Sequence, residues 1–166
     1  MPKRPPARAE VRVRRARAAD FVRLVEIENA AFAIDRMSAR QWRHHIANPE
    51  ADVLVAEQGG AITGAAIVFF HARHRIARLY SIAVAPEARG AGIGEKLLAA
   101  AERNARRRGR ERFRLEVRTD NAAARRLYER RGYRVFGTKA NYYEDGCDAV
   151  RYEKTLTRGR VSPSRP

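Results

Sequence analysis

Ala77-Arg78-Leu79-Tyr80-Ser81-Ile82-Ala83-Val84-Ala85-Pro86 reads as a strand that must end at its proline, and Arg89-Gly90-Ala91-Gly92-Ile93-Gly94 follows it directly. Beyond Gly94 the pattern turns helical, with Leu97, Leu98 and Ala101 on one face and Gly109 as the stop. A strand, a glycine-rich turn and a helix start make a cradle for an anion. Glycines clear the way for backbone N–H groups, and the helix start adds positive potential. The same arrangement also serves as an ordinary tight loop into a helix. It is not the dinucleotide fingerprint, because Glu95 stands where that pattern wants a glycine, and Gly94-Glu95-Lys96-Leu97 lacks the Gly-Lys-[Ser/Thr] of a P-loop.

Working outward, Val11 and Val13 alternate with arginines in a short first strand. From Asp20 the spacing predicts a helix with Phe21, Leu24, Val25, Ala31 and Phe32 on one stripe and the acid at its positive end. Ser38 with Gln41 forms a capping box for a second helix through Trp42 and Ile46, stopped before Pro49. Residues 52–57 and 61–70 are strands joined by Gly59-Gly60, a hairpin turn. Phe113, Leu115 and Val117 alternate with Arg114, Glu116 and Arg118 in a half-buried strand, and residues 121–131 form a short helix closed by Gly132. Residues 133–143 and 147–155 close the chain as a hairpin around Glu144-Asp145-Gly146. The order β-α-α-β-β-β-α-β-α-β-β predicts an α+β fold, one domain over residues 11–156 built on a mixed central sheet flanked by helices. Residues 1–10 and 157–166, rich in proline and arginine, are expected to be flexible tails.

The 166 residues carry 35 Lys and Arg against 19 Asp and Glu, a formal charge of +16. Such an excess favours anionic ligands: nucleic acid, a phosphate-bearing cofactor or an acidic protein surface. It is equally what an Arg- and Ala-rich composition gives without any partner. The longest apolar stretch, residues 61–70, is too short to cross a bilayer, and no apolar run of signal-peptide length follows the basic N-terminus. Cys147 is the only cysteine, so an intrachain disulfide is excluded. A cytoplasmic protein is the default expectation. His44 and His45 are adjacent and His71 and His74 flank a loop, without zinc-type partners, so no metal is expected.

Three further side chains have chemistry and an ordinary alternative each. Glu116 is a candidate general base, or one rung of an ion-pair ladder with Arg114 and Arg118. Tyr128 is a candidate general acid, or a core tyrosine. Asn121 suits a helix cap. The arginines at 106–108 are read as a solvated helix end that complements the dipole. A basic nucleic-acid-binding module would account for the charge, but no helix-turn-helix, RNP aromatic pair or zinc pattern accompanies it.

Residues 81–86 running into Arg89-Gly90-Ala91-Gly92-Ile93-Gly94 resemble the acetyl-CoA motif of the GNAT N-acetyltransferase superfamily, Gln/Arg-x-x-Gly-x-Gly/Ala, which Arg89, Gly92 and Gly94 match. Leu115-Glu116-Val117-Arg118, Asn121, Leu127-Tyr128-Glu129 and Gly132-Tyr133 are similar to its second block. Asn141-Tyr142-Tyr143-Glu144-Asp145-Gly146 with Asp148-Ala149 resembles the ribosomal-protein-alanine N-acetyltransferase branch, which acetylates protein N-termini. That branch has a Pro-Trp-Ser-type element between its first two helices, where the acceptor site is shaped; here the segment is Phe32-Ala33-Ile34-Asp35-Arg36-Met37-Ser38. The resemblance implies an acetyl-CoA-dependent enzyme with a GNAT-like sheet. It implies that the backbone of Ile82, Ala83 and Val84 binds the pantetheine arm, that Arg89, Gly90, Ala91, Gly92, Ile93, Gly94 and Glu95 wrap the pyrophosphate, and that Asn121 contacts the cofactor. Glu116 then accepts a proton and Tyr128 donates one to the leaving thiolate. The implied acceptor is a protein or peptide N-terminus, a ribosomal protein among the candidates, with a small-molecule amine as the alternative. An acyl-CoA-binding sensor without turnover is the remaining alternative, disfavoured by the presence of both Glu116 and Tyr128.

Overall fold

The computed structural model describes residues 9–156; the tail expectations for 1–8 and 157–166 lie outside the described residues. The elements follow the predicted order: β1 (Val11–Arg15), α1 (Phe21–Ala31), α2 (Ala39–Ala47), β2 (Ala51–Gln58), β3 (Ala61–Phe70), β4 (Ile76–Val84), α3 (Ile93–Arg107), β5 (Arg112–Arg118), α4 (Ala122–Arg130), β6 (Arg134–Lys139) and β7 (Ala149–Thr155). Single 3₁₀ turns, Ala18–Asp20 and Pro86–Ala88, precede α1 and the glycine segment. All seven strands form one sheet in the order β1-β2-β3-β4-β5-β7-β6, antiparallel throughout except for the β4–β5 pair. This is the mixed sheet flanked by helices that the sequence predicts.

The central strands are buried on both faces, which is why β2 and β3 read as continuous apolar runs. Leu54, Ala56, Ala66, Val68 and Phe70 face Leu97, Leu98, Ala101 and Ala105 of α3. The alternate residues Val53, Val55, Ala65 and Ile67 join Leu24 of α1 and Trp42 of α2 on the other face. Gly64 is where α3 comes closest. A Cβ there would stand 2.9 Å from Ile93 Cγ2 and 3.0 Å from the Ala83 carbonyl oxygen. Gly59 and Gly60 both take positive φ, 58° and 80°, as the predicted two-residue turn requires.

Three expectations are corrected and one gains detail. The buried stripe of α1 runs through Leu24, Ile27 and Glu28; Ile27, omitted from the predicted stripe, is fully enclosed, and Phe21 and Val25 are only half-buried. Asp20 stands at the N-cap of α1 as predicted, with its carboxylate accepting from Arg17 N (2.7 Å) and paired with Arg14. The arginines ending α3 are not all solvated. Arg108 reaches the buried Asp52 of β2 at 2.7 Å and lies over the Phe70 ring, so the helix end is tied to the sheet. Finally, the last hairpin has shorter strands than predicted, and residues 140–148 form a loop between β6 and β7.

Candidate active site

The parallel pair β4–β5 opens partway along. Pairing runs from Ile76↔Arg112 to Leu79↔Leu115 and stops, although β4 continues to Val84 and β5 to Arg118. On its other edge β4 stays paired with β3 up to Gly64↔Val84, with a register shift that leaves Tyr80 as an extra residue. A bulge bends and twists the strand that carries it. The bend turns residues 81–84 away from β5, and their outer backbone edge has no strand against it among the described residues. Ile82, Ala83 and Val84 therefore lie at the mouth of a gap in the middle of the sheet.

The glycine segment sits at the end of this gap. Gly90 and Gly92 have φ of 78° and 74°, a region costly for residues with a Cβ, and Gly92 is the N-cap of α3. Lys96 N donates to Gly92 O, so the N–H groups of Ile93, Gly94 and Glu95 come before the first intrahelical bond and are free for a ligand. A Cβ on Gly90 or Gly92 would meet nothing within 4 Å. The space in front of these backbone groups is open, and an anion can enter it. Arg89 is exposed at the rim. Two residues of the segment have side chains committed elsewhere. The Ile93 side chain is buried in the core, and the Glu95 carboxylate turns toward Arg131, just past α4 (3.6 Å).

Glu116 and Tyr128 arrive from the other side of the gap. Glu116 is nearly buried, and its Oε2 accepts from Arg78 Nε of β4 (3.0 Å) while Oε1 faces Arg151 Nε of β7 (3.7 Å). Its ion partners come from the flanking strands, not from Arg114 and Arg118 on its own strand. Those two pair with Glu153 and with Asp120 and Asp145. Tyr128 is packed against Tyr133 and Tyr152 with ring centroids 5.7 and 6.1 Å away. Its hydroxyl makes no hydrogen bond to another described residue, and burial pushes the phenol well above the usual tyrosine range, which keeps it protonated. Tyr143 packs edge-on against Tyr142, whose hydroxyl accepts from Arg78, the partner of Glu116, so this loop lies beside the carboxylate. Burial pushes the Tyr143 phenol up to about 12. Asn121 caps α4, its Oδ1 accepting from Ala124 N (3.1 Å), which leaves its Nδ2 to donate elsewhere.

Several residues at this place escape sequence reasoning. Arg78 bridges Glu116 and the Tyr142 hydroxyl (2.8 Å). Asp35, in the segment between α1 and α2, accepts from Glu144 N across the site (3.3 Å). Arg118 holds Asp145 in the same loop, and Asn141 N donates to Asp148 Oδ1. Two loops thus form the walls over Glu116. A cavity of about 390 Å³ opens beside it along the polar face of the sheet. Among the described residues no group of three or more His, Cys, Asp and Glu could hold a metal ion, and no helix is long and apolar enough to cross a membrane.

Comparison with known proteins agrees with this geometry. The acetyltransferase (GNAT) domain family matches residues 17–156. N-alpha-acetyltransferase RimI of Mycobacterium tuberculosis is 32% identical over 155 residues, covering 88% of this chain and 90% of that protein. The ribosomal-protein-S18-alanine N-acetyltransferase of Escherichia coli superposes with a TM-score of 0.81 at 27% identity, covering 92% of this chain and 99% of that one. A Salmonella typhimurium protein solved with its cofactor acetyl-CoA superposes with a TM-score of 0.76 at 26% identity, covering 93% and 98%. The open glycine cradle, the split between β4 and β5 and a family match over most of the chain lead to one conclusion: the chain belongs to the GNAT family and is an acetyl-CoA-dependent N-acetyltransferase.

Proposed function

We propose that the protein acetylates the α-amino group of a protein or peptide N-terminus, with the N-terminus of a ribosomal protein as the first acceptor to try. The observation that supports this reading is the split between β4 and β5, with the open glycine turn at one end and the nearly buried carboxylate of Glu116 on the β5 side. The names of the Mycobacterium tuberculosis and Escherichia coli relatives support the acceptor class. A cytoplasmic place of action goes with it.

Acetyl-CoA supplies an acyl group on a thioester, already activated for transfer to an amine. The residues of this chain do the rest. Gly90, Ala91, Gly92 and the N–H groups of Ile93, Gly94 and Glu95 hold the pyrophosphate, with Arg89 at the rim. The free edge of Ile82, Ala83 and Val84 binds the pantetheine amides as an added strand would, and Asn121 contributes its Nδ2. Glu116 takes a proton from the incoming amine, directly or through a water, and Tyr128 delivers one to the departing sulfur. An α-amine with a pKa near 7.7–8.0 is roughly a tenth neutral at pH 7, whereas a lysine amine costs about 3–4 kcal/mol more to deprotonate. A single carboxylate is therefore better matched to an N-terminus.

The test is CoA release with a panel of N-terminal peptides, free amines alongside. Turnover of unblocked peptides, abolished by prior N-terminal blocking, is the expected result. A higher kcat/KM for small free amines than for any peptide overturns the proposal in favour of a small-molecule acceptor.

A further inference from the structure

The cavity beside Glu116 is lined by cations. Arg78 of β4, Arg114 of β5, Arg151 of β7 and Lys139 of β6 stand against one acid, Glu116, a formal excess of +3 with His71 and His74 neutral. Counting Glu153, which neutralises Arg114 from outside the lining, the excess is still +2. Two of these cations share one aromatic platform. Phe136 lies under both the Arg114 and Arg151 guanidiniums, 4.7 and 4.6 Å from ring centroid to Cζ. Stacking occupies a guanidinium's face and leaves its N–H edge available. The Arg151 Nε is buried and makes no hydrogen bond among the described residues; it faces Glu116 Oε1 at 3.7 Å, which holds the guanidinium at the inner end of the cavity.

The geometry says what fits. Glu116 pairs across the sheet with Arg151, and Arg114 with Arg78, two residues further along β5. From there the cavity continues toward His71 and His74 in the β3–β4 connection, four residues from Arg78. At about 3.3 Å per extended residue, that path measures roughly 10–20 Å from Glu116. A chain whose amine sits at Glu116 therefore lays its next three or so residues over the cations. We infer that this groove selects acceptor N-termini carrying acidic side chains at positions 2 to 4. The inference rests on the proposed N-terminal acceptor. A carboxylate there gains charge-assisted, fork-to-fork contacts that an amide lacks, and an arginine meets like charge. A nucleic acid is the other polyanion to consider. The cations are four side chains around one cavity of about 390 Å³, a footprint for a few residues of peptide rather than for a run of phosphates, and this favours the peptide.

Three peptide series sharing the same first residue test it, with Asp/Glu, Asn/Gln or Lys/Arg at positions 2 to 4, followed by CoA release. The acidic series is expected to exceed the amide series in kcat/KM by roughly tenfold, mostly through KM, as a few partly exposed ion pairs would give. The advantage should fade between low and high salt. Lys139→Glu should lower the acid-to-amide ratio toward or below one, and Lys139→Gln, the milder change, should lower it part of the way. Brisk turnover of all three series at equal kcat/KM overturns the inference and leaves the proposed function standing. Turnover of free amines but of no peptide overturns the proposed function and this inference with it. Indifference to peptide charge combined with inhibition by an RNA oligonucleotide assigns the groove to nucleic acid instead.

Discussion

Tyr128 meets two demands at once. Its ring belongs to the tyrosine cluster with Tyr133 and Tyr152, and its hydroxyl is left without a described hydrogen-bond partner. Tyr128→Phe keeps the packing and removes only the proton. If leaving-group protonation limits the rate, kcat should fall by about 10²–10⁴-fold, while acetyl-CoA affinity by calorimetry and thermal stability change little. Near-normal kcat across pH 6.5–9.5 would reject the acid role. Glu116→Gln keeps shape and removes the base, so its defect in kcat should shrink as pH approaches the amine's own pKa. A defect that is flat with pH would mean that Glu116 serves only to hold Arg78 and Arg151. The half-buried strand of Glu116 and the short helix of Tyr128 were legible because local alternation and the glycine stop mark them. Arg78 and Arg151 were not, because only the cross-strand registers Arg78↔Arg114 and Glu116↔Arg151 bring them to the carboxylate, and periodicity within one strand says nothing of its neighbours.

Two glycines, Gly64 in β3 and Gly92 at the start of α3, separate a demand of packing from a demand of backbone conformation. At Gly64 the obstacle is steric. A Cβ would press on the Ala83 carbonyl at 3.0 Å, and backbone cannot rotate away as the Ile93 and Leu97 side chains can. Gly64→Ala should cost about 1–3 kcal/mol, visible as a lower Tm. An unchanged Tm would show that α3 can shift freely. At Gly92 the obstacle is conformational, with φ of 74° and open space around the position. Gly92→Asn tolerates the left-handed region and fills only the space in front of the helix start. It should fold near normally yet lose most acetyl-CoA affinity in calorimetry; retained affinity would reduce the segment to a simple turn. Gly92→Val should lose both. The order of elements was readable because strand alternation, the Ser38–Gln41 box and the glycine stops are local signals. The opening of β4 from β5 was not, because the bulge at Tyr80 comes from mismatched registers with β3.

Across the whole molecule three acids are buried among the described residues, Glu28, Asp52 and Glu102, and two of them sit at joints between elements. Asp52 ties the end of α3 to β2, and Glu102 gathers Arg131, Tyr133 and Lys154 beneath α4. Glu28 differs from both. It is buried, its Oε1 accepts from Met37 N (3.0 Å), and its Oε2 has no partner among the described residues. Burial raises its pKa above the ordinary 4.5, opposed by the Met37 N–H and by Arg36. A raised value means that the fold prefers the neutral acid. Its contribution to stability is therefore complete below about 4.5 and is lost as pH climbs through the raised value. Glu28→Gln keeps the acceptor for Met37 N and carries no charge to bury, so it should be more stable than the parent at pH 8 in urea unfolding. That advantage should narrow toward zero as pH is lowered to 4.5 and below. Through Met37 the same carboxyl anchors the segment that presents Asp35 to Glu144, so the variant's peptide KM should depend less on pH than the parent's. A stability difference that stays constant with pH would mean that the Glu28 carboxyl titrates alike in the folded and unfolded chain, so that burial does not favour its neutral form.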